Sequence, residues 1–245
     1  MKIISETAIE GGKRIDFEAF GKNCILCVPD NPRSDKRVVW RAEFFSAFDN
    51  CDAELFKMGF YRAYIGLSNK FGSPDAVEYM KKFHDLLADE FGINPRVILV
   101  GVSRGGLYSV NYAAAYPQDV AALYLDAPVL NLLSWPFGRG KYDGSQENIE
   151  LALAEFGMTE GEVLSFRGSP IDKVEAVAKA DIPIIFVCGA VDKTVYFDEN
   201  SEVFIKRFKA LGGRCDLVLK LDCDHHPHGL DNPKPIVDFI LENMK

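Results

Sequence analysis

The chain has 245 residues, of which 48% are hydrophobic, and its formal net charge is −8 at pH 7. This length and apolar content suffice for one α/β domain with a large core, so we expect a single domain over residues 1–245. An acidic chain without a basic stripe argues against nucleic acid or an anionic membrane as the main partner. No apolar run reaches the length of a membrane span, and the first residues lack the apolar stretch of a signal peptide, which predicts a cytoplasmic protein.

Among the six cysteines, only Cys24 and Cys27 have the spacing of a C-x-x-C motif. They fall within the apolar run NCILCV, which is typical of a strand, where residues three apart point to opposite faces. We therefore expect small buried thiols in a reducing compartment, and neither a redox pair nor a zinc site.

Short β-rich runs alternate with helical patterns along the chain, and this alternation predicts a mostly parallel sheet covered by helices. The opening third, from KIISETA to NCILCVPD, is expected to form an antiparallel edge. A strand at 37–40 follows, then a helix near 50–59 and the strand YRAYIGL. The tripeptide SPD at 73–75 combines a capping hydroxyl, a first-turn proline and an acidic residue, which predicts the start of a helix that ends near Gly92.

In the second half, strands are predicted over 96–102 and in the runs VAALYLDAP, IPIIFVCGAVD and CDLVLKLD. Helices are expected from about residue 104, over 198–211 and in the closing segment NPKPIVDFILENM. Residues 129–172 break this rhythm. We interpret them as a short insert after the sixth strand that lies on the rim of the sheet and forms one wall of a pocket.

A serine stands between glycines in the run VILVGVSRGGL, where a predicted strand gives way to a predicted helix. A tight turn at that point lifts the hydroxyl of Ser103 clear of the sheet and directs backbone N–H groups toward it. We expect Gly101 and Gly105 because the turn has no room for a Cβ, and Gly106 because it allows close helix packing. An ordinary glycine-rich turn or a phosphate cradle is the alternative, but neither the Rossmann spacing nor a Walker lysine is present.

A serine hydroxyl becomes a strong nucleophile when a base takes its proton and donors receive the oxyanion. On such a turn, an acid and then a histidine follow the serine in chain order, each after a strand. Asp192 ends the run IPIIFVCGAVD, and three of the four histidines lie in the loop CDHHPHGL at 223–230.

Each of these partners has an alternative interpretation. Asp192 could cap a turn, and Asp126, which ends the preceding strand, is a rival acid. The histidine loop could hold a metal, although three adjacent loop residues seldom converge on one ion and the spacing lacks H-E-x-x-H. We therefore expect no metal site.

The chain resembles the α/β-hydrolase superfamily over nearly its whole length, in the elbow GVSRGG, the acid turn CGAVD, the histidine loop and the closing helix. It is most similar to the small esterase-like members of that family. The resemblance implies an α/β-hydrolase fold with no cofactor. It also implies Ser103 as the nucleophile, Asp192 as the acid that orients the base, and a loop histidine as the base.

The identity of that histidine depends on the register of the loop. The family pattern G-H-x-P-H matches the run DHHPH except for Asp224, and it selects His225 as the base. A second pattern, H-x-x-G-L, selects His226, and His228 stays a third alternative. We choose His225.

The resemblance implies Arg104 N–H as one oxyanion donor and a second donor from the loop after the strand RVVW. The family carries histidine-glycine there, whereas this chain has Trp40-Arg41-Ala42. We expect Arg41 N–H as the second donor, with Ala42 as the alternative. The guanidinium groups of Arg41 and Arg104 are expected beside the pocket, where they either recognise a substrate carboxylate or pair with acidic neighbours such as Glu43 or Asp126.

Trp40 and Trp135, together with Phe137, are expected to wall the pocket, since tryptophan suits stacking on a sugar ring; ordinary packing is the alternative. The resulting hypothesis is a serine hydrolase that cleaves a carboxylic ester of a carbohydrate or another small acylated molecule through an acyl-enzyme. Amide cleavage on the same scaffold and a non-catalytic binding module are the alternatives. The sequence leaves the oligomeric state open.

Overall fold

Four strands come first and are followed by strands and helices in alternation along residues 1–244, the part of the chain that the computed structural model describes. The strands are β1 Lys2–Ile9, β2 Gly12–Ala19, β3 Lys22–Pro29, β4 Val38–Arg41, β5 Tyr61–Ile65, β6 Val97–Val102, β7 Val120–Asp126, β8 Ile184–Gly189 and β9 Cys215–Lys220. The helices are α1 Asn50–Lys57, α2 Pro74–Phe91, α3 Gly105–Ala115, α4 Gln146–Phe156, α5 Val174–Lys179, α6 Ser201–Ala210 and α7 Lys234–Asn243.

All nine strands form one sheet in the order β1-β2-β3-β5-β4-β6-β7-β8-β9. The pairs β1–β2, β2–β3 and β3–β5 are antiparallel. The pairs β5–β4, β4–β6, β6–β7, β7–β8 and β8–β9 are parallel. The predicted antiparallel edge and parallel body are confirmed. Because parallel strands end at the same edge of a sheet, the loops after β4, β6, β7, β8 and β9 come together there.

Two apolar layers cover the sheet, one on each face. The strand β6 is buried along its whole length, and its side chains alternate between the layers: Val97 and Leu99 on one face, Ile98 and Val100 on the other. Helices α2, α3, α5 and α6 cover the first face, while α1 and α7 cover the second. A strand buried on both faces reads as a continuous apolar run, which explains the sequence VILVGV.

The start of α2 follows the predicted signals. Ser73 is the N-cap, and its Oγ accepts the N–H of Ala76 at 3.1 Å. Pro74 is the first helical residue, and Gly92 ends the helix with a positive φ of 63°. The same serine hydroxyl donates to Glu155 of α4 at 2.6 Å, so the cap also ties α2 to the insert.

The insert at 129–172 follows the seventh strand of the chain. The expectation that it follows the sixth strand is wrong, because the N-terminal segment alone contributes three strands. Backbone N–H groups of Leu130 and Asn131 donate to Oδ1 of Asn200, and the N–H of Leu132 donates to Ser169. The insert therefore packs on the sheet as part of the same core.

The two cysteines of the C-x-x-C motif lie in separate apolar clusters, Cys24 in one and Cys27 in another, and both are unpaired. Burial raises the pKa of Cys24 to about 12. The expectation of buried thiols is confirmed. Among the described residues, no helix has the length and apolarity needed to cross a membrane.

We expect Ser73→Ala to lower the free energy of unfolding by about 1–2 kcal/mol, because the substitution removes an N-cap acceptor together with the bond to Glu155. Urea unfolding followed by circular dichroism measures the change. Ser165→Ala is the matched control, since Ser165 is exposed and bonds only a nearby carbonyl. It is expected to change the free energy by less than about 0.5 kcal/mol. Equal losses in the two variants would contradict the capping role.

Candidate active site

Ser103 occupies a sharp turn between β6 and α3 and has a φ of 49°. A positive φ is unfavourable for serine and persists only where neighbouring contacts hold it. Here the N–H of Ser103 donates to the carbonyl of Asp126 at 2.8 Å, and the N–H of Val129 donates to the carbonyl of Ser103 at 2.8 Å. The end of β7 therefore fixes the turn that presents the hydroxyl.

The glycines around Ser103 have different roles. A Cβ on Gly101 would lie 2.9 Å from Leu125 Cδ2, and one on Gly106 would lie 2.6 Å from Pro128 Cβ, so neither position has room for a side chain. A Cβ on Gly105 would lie 3.5 Å from Glu43 Cβ, which is an ordinary contact. The expectation that Gly105 is sterically required is therefore wrong. Gly106 makes room for the loop after β7.

A continuous chain of hydrogen bonds runs from this serine through the histidine loop to the acid turn. Ser103 Oγ lies 3.0 Å from His225 Nε2, and His225 Nδ1 lies 2.7 Å from Asp192 Oδ2. A carboxylate only accepts hydrogen bonds, so Nδ1 carries the proton and Nε2 is left to accept the serine O–H. The other oxygen of Asp192 accepts the N–H groups of Thr194 and Val195, each at 2.8 Å, which fixes the carboxylate.

Asp224, the residue that departs from the family pattern, holds the histidine loop against the acid turn. Its Oδ1 accepts the N–H of Lys193 at 2.8 Å and the N–H of His225 at 2.7 Å. These two backbone hydrogen bonds hold the pKa of the Asp224 carboxyl below its usual value. Gly189, at the end of β8, approaches the same loop so closely that a Cβ there would lie 2.3 Å from the carbonyl of Cys223.

A second acid–histidine pair lies beside the first. His228 Nδ1 lies 2.7 Å from Asp126 Oδ1, and Asp126 Oδ2 accepts the N–H of Gly229 at 2.7 Å and the O–H of Tyr124 at 2.6 Å. Burial and the neighbouring Asp126 raise the pKa of the Tyr124 phenol well above its usual value, so it stays a neutral donor. Asp126, the alternative acid in the sequence analysis, therefore contacts His228.

The three loop imidazoles converge. The ring centroids of His225 and His226 are 5.0 Å apart, and His228 lies 4.7 Å from each of them. One nitrogen from each ring can be chosen so that all three lie within 4.8 Å of one another. Partial burial, and then the two neighbouring histidines, lower the pKa of His226. The sequence argument that adjacent loop residues seldom converge does not hold for this loop.

The serine opens onto a cavity of about 220 Å³. Its lining residues are Phe44, Ala47, Phe48, Val102, Ser103, His225, His226 and His228. Four larger depressions, of about 430, 440, 560 and 610 Å³, contain none of the three residues of the hydrogen-bonded chain. We therefore place the candidate active site in the smaller cavity, where the reactive groups meet.

Comparison with known proteins agrees with this architecture. The sequence pattern of the alpha/beta hydrolase fold matches residues 38–150. A puromycin-hydrolyzing peptidase of Mycobacterium tuberculosis superposes over 95% of this chain and 39% of its own, with a TM-score of 0.72 and 16% identity. An S-formylglutathione hydrolase from Agrobacterium tumefaciens superposes over the whole of both chains, with a TM-score of 0.64 and 17% identity. The chain therefore has the α/β-hydrolase fold.

One curated relative adds a sequence match. The acylamino-acid-releasing enzyme of Sus scrofa is 25% identical over 218 residues, which are 78% of this chain. This chain spans 28% of that enzyme's length. The similar proteins therefore include enzymes named for peptide and for ester-like substrates.

The expected second oxyanion donors do not face Ser103. The N–H of Ala42 donates to the carbonyl of Val100 in β6 at 3.0 Å. Successive residues of a strand direct their N–H groups to opposite sides, so the N–H of Arg41 faces β5, on the far side of β4 from Ser103. The expectations for Arg41 and for Ala42 are therefore wrong.

The guanidinium of Arg41 is not beside the cavity either, because it is buried behind the loop after β4. Its Nε donates to Asp52 at 2.5 Å, and its other nitrogens donate to the carbonyls of Ala47 at 2.8 Å and Phe48 at 3.3 Å. Arg41 thus holds the loop that carries two aromatic walls of the cavity.

Sequence reasoning missed that loop. Phe44 is 41% exposed, has a φ of 55° and lines the cavity with Ser103. Within residues 1–244, no backbone acceptor engages the N–H of Phe44 or that of Arg104. The signal in the sequence is the run EFFSAF, three phenylalanines directly after a strand that ends at the active edge.

Arg104 pairs with the acidic side chain of Glu43, which was one of the two alternatives for this guanidinium. Its Nε donates to Glu43 at 2.7 Å, and a second nitrogen donates to Asn69 at 3.0 Å. Glu43 is itself buried and also accepts the hydroxyl of Ser68. The charge of Arg104 is therefore largely neutralised within the protein.

Neither tryptophan lines the cavity beside Ser103. Trp40 is fully buried and packs its ring edge-on against Phe83 at 5.2 Å and Tyr112 at 5.5 Å. Trp135 is half-buried with its ring 6.1 Å from Phe71, and Phe137 lies in the core. The expectation that these residues wall the pocket is wrong, because strand β4 directs Trp40 into the α2 and α3 layer.

We expect Arg41→Met to lower the free energy of unfolding by about 3 kcal/mol, because Asp52 would keep a buried charge without its main partner. Urea unfolding measures this loss. The double variant Arg41→Met/Asp52→Leu is expected to regain most of it, since apolar residues can replace a buried ion pair. Lys57→Met, which breaks an exposed pair of 3.5 Å, is the control and is expected to cost less than about 0.5 kcal/mol. A double variant no more stable than Arg41→Met would contradict this explanation.

Proposed function

We propose that this α/β-hydrolase cleaves small carboxylic esters, with Ser103 as the nucleophile, His225 as the general base and Asp192 as the acid that orients the base. The comparisons support a serine hydrolase of the α/β fold. The observation that carries the proposal is the unbroken chain of hydrogen bonds from Ser103 Oγ through His225 to the buried Asp192. Its serine end opens into the cavity, where a substrate carbonyl can reach it.

Acylation begins when Ser103 Oγ attacks the ester carbonyl. The proton of Oγ passes to Nε2 of His225, which already accepts a hydrogen bond from it. Asp192 stabilises the imidazolium that forms, because its carboxylate accepts the Nδ1–H at 2.7 Å. The N–H groups of Arg104 and Phe44 are the donors we assign to the oxyanion, since both are without a backbone acceptor within residues 1–244.

The acyl-enzyme forms when the tetrahedral intermediate collapses. The imidazolium of His225 returns its proton to the departing alkoxide, and the C–O bond of the ester breaks. Water then attacks the acyl carbonyl while His225 takes a proton from that water. The imidazolium passes this proton to Ser103 Oγ as the bond between Oγ and the acyl carbon breaks, and the carboxylic acid leaves. No cofactor enters either half of the cycle.

The cavity supports a small acyl group. A volume of about 220 Å³ is below the range of about 300–1,000 Å³ typical of drug-sized ligands. Its apolar walls are Phe44, Ala47, Phe48 and Val102, which suit a short hydrocarbon or an aryl group and provide no partner for a charged acyl chain. The alcohol part would lie outside this cavity, and an acylated sugar remains one proposal for it.

Amide cleavage is the second candidate, and the sequence match to the acylamino-acid-releasing enzyme favours it. An amide places more demand on His225, because a departing amine must be protonated as the C–N bond breaks. Because this chain spans only 28% of that relative's length, the full activity of the relative is not assigned to this chain.

Single substitutions test the three roles. We expect Ser103→Ala, His225→Gln and Asp192→Asn each to lower kcat/KM for 4-nitrophenyl acetate by about 10³-fold or more. A fluorophosphonate probe is expected to label the wild type at Ser103 and to leave Ser103→Ala unlabelled. Ser109→Ala is the matched control, because Ser109 is a buried serine on α3 whose hydroxyl has no hydrogen-bond partner among the described residues.

Two results would contradict the assignment. An unchanged rate in purified Ser103→Ala, with no labelling of the wild type, would leave the binding-module alternative. A loss of activity in Asp126→Asn together with full activity in Asp192→Asn would move the acid role to the second pair.

A substrate panel tests bond type and acyl size together. We expect acetyl and butyryl esters to react at least tenfold faster, by kcat/KM, than decanoyl esters, because the cavity is small. Acylated sugars and N-acetyl-aminoacyl 4-nitroanilides are assayed in parallel, with Ser103→Ala as the background. Faster cleavage of the anilides than of the matched esters, corrected for their intrinsic reactivity, would favour the amidase.

A further inference from the structure

We propose that His225, His226 and His228 form a binding site for Zn²⁺, and that the bound ion blocks the active site by occupying His225 Nε2. The site would be inhibitory, since the proposed reaction needs no metal. The blocking effect rests on the proposed function, whereas binding of the ion does not.

The ligand chemistry is that of a borderline divalent ion. Imidazole nitrogen is a common Zn²⁺ ligand, and three histidines with a fourth position open to water make a recurring zinc site. One nitrogen from each of the three rings lies within 4.8 Å of the others. A tetrahedral site with Zn–N bonds of about 2.0–2.1 Å needs nitrogens roughly 3.3 Å apart, so the rings must close by about 1.5 Å.

Two of the ligands are already oriented as zinc sites require. Histidines that bind zinc usually donate their second ring N–H to a carboxylate, which fixes the ring and increases its basicity. His225 makes this contact with Asp192 and His228 makes it with Asp126, each at 2.7 Å. Both carboxylates are buried and face Nδ1, so the lone pair of each ring is on Nε2.

His226, the third ligand, is the ring that would move, and it lies where the ion would enter. His226 is exposed, whereas His225 and His228 are buried. Its ring stacks on Phe48 with centroids 5.6 Å apart, at the rim of the cavity. An exposed ring can rotate toward the two fixed ones, and an ion can reach all three from the cavity.

Binding of the ion and proton transfer to His225 exclude each other. Nε2 has one lone pair, which in the metal-free state accepts the hydrogen bond of Ser103 at 3.0 Å. A Zn–Nε2 bond would replace that hydrogen bond, and the serine would keep its proton. No redox change and no other reactant is needed.

Calorimetric titration of the EDTA-treated, dialysed chain with ZnCl₂ tests the site directly. One ion per chain is expected, with MgCl₂ giving no signal because Mg²⁺ prefers oxygen ligands. His226→Gln, at an exposed position, is expected to weaken Zn²⁺ binding at least about tenfold, and Asp126→Asn by about 10–100-fold through His228. Cys223→Ser is the matched control for a neighbouring thiol and is expected to bind like the wild type. Circular dichroism checks the fold of each variant.

Wild-type affinity in His226→Gln, loss of binding in Cys223→Ser, or no stoichiometric binding to the wild type would each overturn the site.

Inhibition is measured separately, as ZnCl₂ titrations of ester hydrolysis and of fluorophosphonate labelling, each normalised to the variant's own metal-free rate. Reversal by EDTA and a weaker effect in His226→Gln are expected. Stoichiometric binding without inhibition would overturn the blocking effect. If no substrate were cleaved at all, the proposed function would fail while the calorimetry still decided the metal site.

Discussion

The short hydrogen bond between His225 Nδ1 and the buried carboxylate of Asp192 is the contact on which the candidate site depends. It assigns the proton to Nδ1, and only then can Nε2 accept the O–H of Ser103. Two backbone N–H groups fix the carboxylate, and Asp224 fixes the backbone of the histidine. The imidazole is therefore held before any substrate arrives, which is how a preorganised site lowers the cost of its reaction.

A second pair, His228 and Asp126, lies against the first and resembles it closely in geometry. Only the position of the serine separates their roles, because the turn after β6 points Ser103 Oγ at His225. Asp126 also accepts the N–H of Ser103 through its carbonyl, so the end of β7 supports both the Ser103 turn and the second histidine. Packing three imidazoles so closely gives this loop the ligand set of a transition-metal site beside the histidine that contacts Ser103.

The loop after β4 completes the cavity and depends on a buried ion pair. Arg41 and Asp52 are both nearly inaccessible to solvent, and Arg41 donates to carbonyls of the loop that carries Phe44 and Phe48. A buried pair of this kind contributes little net stability, but the loss of one partner is costly. Its contribution here is to hold the aromatic walls, and with them the backbone of Phe44, beside Ser103.

The sequence determined the parts of this protein that depend on local pattern. The order of strands and helices and the glycine-flanked serine follow from periodicity and turn residues, which act over a few residues. Chain order places Asp192 and then the histidine loop after Ser103, and the resemblance to the family pattern selects His225 within that loop. The long-range contacts emerge only from the folded packing, which buries Trp40 in the core, pairs Arg41 with Asp52 and brings Phe44 to the cavity. The direction of a side chain at a strand end depends on which layer packs there. The convergence of the histidines depends on Asp126 and Asp192, which lie far apart along the chain but at the ends of the neighbouring strands β7 and β8. No spacing along the chain encodes either.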